Sequence, residues 1–97
     1  MPIETTQWDS SEHLDSDEAI NAYIEAAFED GEPTVIAHAL GVVAKARGMT
    51  AIAKEAGVTR EALYKALSEK GDPRLSTLVS VVKALGFRLT VQPADAA

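Results

Sequence analysis

An all-α fold of five short helices, closed by one short β-strand near the C-terminal end, is what this 97-residue sequence predicts. Three observations carry that expectation. Hydrophobic residues make up 46% of the chain while aromatics make up only 5%, and alanine recurs in runs, a composition suited to close helix packing rather than to a sheet. Apolar residues return at three- and four-residue spacing in successive segments, which Gly31, Gly48, Gly57 and Gly71 punctuate. Phe87-Arg88-Leu89-Thr90-Val91 instead alternates apolar and polar, the period of a strand, and Pro93 ends it.

Residues 1–14 show no helical period and are expected to form an extended arm, with Trp8 tucked onto a single domain spanning residues 15–97. Asp15 or Ser16 can cap the first helix, whose buried stripe is Ala19, Ile20, Tyr23, Ile24, Ala27 and Phe28. Pro33 suits the first turn of a second helix running to about Arg47, with Val35, Ile36, Ala39, Leu40 and Val43 inward. After Gly71-Asp72-Pro73, a last helix from about Arg74 to Leu85 carries Leu75, Leu78, Val79, Val82 and Leu85. A lone strand cannot satisfy its own backbone groups, so Phe87, Leu89 and Val91 are expected to pair with the N-terminal arm or with the same strand of a second copy, making a homodimer.

The stretch Met49–Ser68 is the most specific part of the chain. Ile52, Ala53, Ala56, Leu63, Ala66 and Leu67 take inward helical positions on either side of Gly57, a residue free to adopt φ > 0 where a helix ends. Val58 follows as an apolar plug and Thr59 as an N-cap, predicting that a second helix runs to about Glu69. A small residue, a turn glycine, a corner valine, a cap and a leucine four past the cap together define a helix-turn-helix, whose second helix enters the DNA major groove.

The geometry of such a motif names residues. Thr59, Arg60, Glu61, Tyr64 and Lys65 stand at the start or on the exposed side of the second helix, where base edges and flanking phosphates lie. Arg60 is the best placed for a bidentate contact with guanine. Lys65 can read a base or bind phosphate. Glu61 can accept from cytosine or pair with Lys65 one turn on, the second being favoured. The Thr50 hydroxyl can meet a phosphate, and Lys45, Arg47, Lys70 and Arg74 flank the motif as backbone contacts.

Net charge is −6, an unpromising total for a DNA binder, but its distribution is uneven. Residues 1–44 hold ten acids and no base, while residues 45–97 hold all nine bases against five acids. Because screening confines each patch to a reach of about 10 Å, the halves act separately. The acidic half is either a plain solvated surface or a docking face. No cysteine is present, so neither a disulfide framework nor a thiolate metal site is available. No signal-peptide pattern opens the sequence, and a cytoplasmic protein is expected. His13 and His38 have no accompanying nucleophile or ligand spacing, and no glycine-rich phosphate loop occurs. His38 is expected to be partly buried and satisfied; no enzyme activity, cofactor or metal is expected.

The segments AYIEAAFEDGEPTVIAHALGVVAKARGM, IAKEAGVTREALYKALS, GDPRLSTL and KALGFRLTV closely resemble the addiction-module antidote proteins, HigA-like antitoxins with a Cro/XRE-type helix-turn-helix. The resemblance runs from about Trp8 to Pro93. It implies a Cro/repressor-like domain and a bacterial type II antitoxin that neutralises a RelE-like toxin, an mRNA-cleaving ribonuclease, and represses its own operon as a dimer. With that partner implied, the acidic half acquires a purpose: Trp8, Glu25, Phe28 and Glu29 are expected to contact a basic toxin. The alternative is a stand-alone helix-turn-helix repressor with no toxin partner.

Overall fold

The computed structural model describes residues 16–68 and 70–94. Five helices follow in order: α1 Asp17–Asp30, α2 Pro33–Arg47, α3 Met49–Ala56, α4 Arg60–Ala66 and α5 Leu75–Ala84. Of the two expected caps for α1, Ser16 does the capping, its Oγ accepting from the Ala19 N–H at 3.1 Å. Asp15, the arm of residues 1–14 and Trp8 lie outside the described residues.

Between α2 and α3 the chain bends by 113°, so α3 crosses under α2 and meets α4 and α5 as well. The core gathers at this crossing: Ile20 and Ile24 from α1, Leu40, Val43 and Ala44 from α2, Ile52 and Ala53 from α3, Leu63 from α4, and Val81, Val82 and Leu85 around α5. Each fully covered Leu or Val in such a core stabilises by about 1.5–3 kcal/mol relative to exposure. α2 is buried on more than one side, with Ala37 and Val42 covered beyond the expected stripe. Val35 and Leu75, expected inward, are exposed at 41% and 69%. Both lie in the first turn of their helices, away from the residues that those helices bury. Among the described residues no single helix is long and apolar enough to cross a membrane.

The expected C-terminal β-strand does not form, and the described residues contain no strand. After α5, the Gly86 N–H donates to the Lys83 carbonyl and the Phe87 N–H to the Val82 carbonyl, both at 2.9 Å, a Schellman closure that seats Phe87 against the core. Residues 87–94 then continue without regular structure. Alternation encodes an apolar edge, but a ladder needs a second row of N–H and C=O groups. Among the described residues no other strand offers one.

Candidate nucleic-acid and partner interfaces

The turn between α3 and α4 is built from its sequence signals. Gly57 sits at φ 79°, in the left-handed region that side chains with a Cβ rarely adopt. Its N–H donates to the Lys54 carbonyl at 3.2 Å and that of Val58 to the Ala53 carbonyl at 3.0 Å, closing α3. Thr59 Oγ1 accepts from the Ala62 N–H at 3.0 Å and starts α4. With the phase of α4 set, Leu63 is fully buried and Leu67 nearly so, while Arg60, Glu61, Tyr64 and Lys65 face out. α4 ends at Ala66, a turn short of expectation. There Gly71 folds under it so closely that a Cβ would stand 2.5 Å from the Lys65 carbonyl oxygen and overlap that of Ala66. Gly71 is a packing glycine, where the sequence suggested only a break.

On the exposed side of α4, the Arg60 guanidinium carbon lies 5.5 Å from the centre of the Tyr64 ring, and its Nη2 is 3.5 Å from the Tyr64 hydroxyl. Arg60 holds its proton more tightly than usual, first because of that hydroxyl and least because of Glu61. An arginine is charged at neutral pH in any case. The favoured Glu61–Lys65 pair is not formed: among the described residues the ion pair is Arg47–Asp17. Lys65 is therefore free of Glu61, and both project into solvent. Thr50, in the first turn of α3, Lys45, Lys70 and Arg74 are all exposed. His38 is exposed too, against the expectation of partial burial.

Arg47 is placed differently from its expected phosphate contact. Its Nη1 donates to the Leu85 carbonyl at 3.1 Å, a partly buried bond, and its Nη2 stands 3.6 Å from the Asp17 carboxylate. It thereby ties the end of α2 to the ends of α5 and α1. No local sequence signal reveals this, since Leu85 is 38 positions away. The bond to the carbonyl should dominate, because Asp17 is almost wholly exposed and such pairs contribute little. Arg47→Ala is expected to lower folding stability by about 1–2 kcal/mol in urea denaturation; a loss below about 0.5 kcal/mol would show that the clamp is idle.

A second surface lies between α1 and the segment that follows α5. Glu25, Phe28 and Glu29 of α1 and the segment from Phe87 through Arg88, Leu89 and Thr90 line one open groove of about 750 Å³. Residues expected to serve a toxin partner and residues expected to serve a dimer are thus brought to one place. Phe28 and Phe87 are half-buried against the core, Leu89 is 37% exposed, and Val91 projects into solvent at 92%. Glu25 and Glu29 are exposed on the α1 side.

These features describe a small all-helical domain with a capped, exposed helix carrying Arg60, Tyr64 and Lys65, and with a groove elsewhere whose α1 wall carries Glu25 and Glu29 and whose other wall carries Arg88. Residues 4–93 match the family described as "Probable addiction module antidote protein", and the chain belongs to that family. An uncharacterized protein of Haemophilus influenzae is 41% identical over 92 residues, covering 95% of each chain. No solved structure matches. Membership supports the role of an antidote, or antitoxin, in a toxin–antitoxin module, and implies a toxin partner.

Proposed function

We propose that the protein neutralises a RelE-like toxin through the α1–C-terminal groove and represses its own operon through the α3–α4 helix-turn-helix, acting in the cytoplasm without catalytic activity. The observation that carries the reading is the uneven distribution of charge along a member of the antidote family, with the two carboxylates of the α1 wall at the groove. Ten acids precede residue 45, and all nine bases follow from it. An RNA-cleaving toxin has reason to be basic, and the groove presents Glu25 and Glu29 beside the apolar Phe28, Phe87 and Leu89. Carboxylates at the rim speed encounter, and apolar side chains in the groove hold the complex. DNA takes the other surface, with Arg60 and Lys65 at base edges, Thr50, Lys45, Lys70 and Arg74 at phosphates, and Glu61 beside them.

Operator reading by one short helix covers a half-site, so a homodimer completes it. Val91, which projects into solvent beyond the groove lining, supplies an apolar contact for that pairing, and the sedimentation mass at tens of micromolar decides it: a monomer removes the dimer from the scheme. The groove is tested by Glu25→Lys with Glu29→Lys. In a folded double variant, association with the toxin encoded beside the gene is expected to slow by about tenfold at low salt, with operator binding retained. Unchanged association kinetics place the inhibitory surface elsewhere.

A further inference from the structure

We propose that Tyr64 is a positioning residue for sequence reading, its ring and hydroxyl holding the Arg60 guanidinium at the exposed start of α4 in the orientation that meets a guanine. This rests on the reading of α3–α4 as a DNA-binding element. Arg60 and Tyr64 are four residues apart, one turn of the same helix face. The helix that carries the ring is anchored: Leu63, the neighbouring residue, is fully buried, and the Thr59 cap fixes where the helix begins. Over that platform the guanidinium sits 5.5 Å from the ring centre, within the range of a cation–π contact, with one nitrogen 3.5 Å from the hydroxyl. Among the described residues Arg60 has no ion-pair partner to draw it aside.

An arginine on a bare surface loses the freedom of its long side chain when it docks. Arg60 has already surrendered part of that freedom to the ring. Its guanidinium carries five N–H donors, and the contact with the hydroxyl occupies one nitrogen, leaving donors for the O6 and N7 acceptors of guanine. Tyr64 thus sharpens the preference of Arg60 for one base without reading a base itself.

The test uses the full chain and duplexes selected by the wild-type protein from a random pool. Discrimination is the ratio of Kd values for the selected duplex and for one altered at the base pair where Arg60→Ala loses preference. Tyr64→Leu, which keeps bulk but removes the π face and hydroxyl, is expected to lower discrimination about two- to fivefold, the size of an exposed cation–π contact. Tyr64→Phe should recover most of it. In an Arg60→Ala background, Tyr64→Leu should have no further effect. An equal loss in that background means that Tyr64 touches DNA itself and overturns the positioning role, as does unchanged discrimination in a folded Tyr64→Leu variant. If Arg60→Ala alters no base preference, or the wild type enriches no duplex, the DNA-binding reading fails and takes this one with it.

Discussion

Leu63→Ala is expected to cost about 2–5 kcal/mol of folding stability and to lower Tm by at least roughly 8 °C. Leu63 is fully buried and is the side chain by which α4 reaches the shared core of α2, α3 and α5. α4 is only seven residues long, too short to persist without tertiary packing. Removing its anchor leaves a cavity where the turn meets the body, and domains of this size have about 5–15 kcal/mol in total to lose. Tyr64→Ala, one residue on and exposed, serves as the contrast and should change stability by less than about 1 kcal/mol. Thermal denaturation followed by circular dichroism separates the two. Equal, small effects would mean that α4 is not anchored through Leu63.

On DNA, Arg60→Ala and Lys70→Ala should fail in different ways. A bidentate arginine–guanine contact contributes about 1–3 kcal/mol of discrimination, so Arg60→Ala should reduce preference for the operator over random duplex by roughly 5- to 150-fold. Lys70 is exposed beyond the end of α4 and is assigned only to phosphate. Its loss should weaken binding to both duplexes alike and flatten the slope of log affinity against log salt by about one. Gel-shift titrations at several salt concentrations measure both quantities. Equal loss on both duplexes for Arg60→Ala would remove its base-reading role.

Much of this architecture is legible in the sequence because its punctuation is chemical. Ser16, Pro33, Gly57 and Thr59 each supply a backbone requirement that few other residues meet, and each stands where it was expected. The exposed face of α4 follows, since a cap and a buried leucine together set the phase of a helix. Depth of burial was less readable. Ala37 and Ala44 are too small to mark a face by periodicity, yet both are covered, so α2 proves to be a central helix rather than a one-sided one. Val35 and Leu75 fit the apolar period but occupy first turns that the described residues leave exposed. The residues 87–91 alternate like a strand, and their pairing depends on a partner that periodicity does not specify. Arg47 reads as one base among nine until the Leu85 carbonyl is seen beside it. The groove was legible only in halves: charge named Glu25 and Glu29, alternation named Phe87 and Leu89, and only the fold brings them together.

Neutralisation is tested most directly by titrating the protein into the proposed toxin, purified from a candidate reading frame neighbouring its gene, while following cleavage of a translated mRNA. Loss of cleavage at a fixed, near-stoichiometric ratio, with both proteins recovered in one complex, is the result expected of an antitoxin that covers its toxin. Full cleavage at a tenfold excess of folded protein would contradict it.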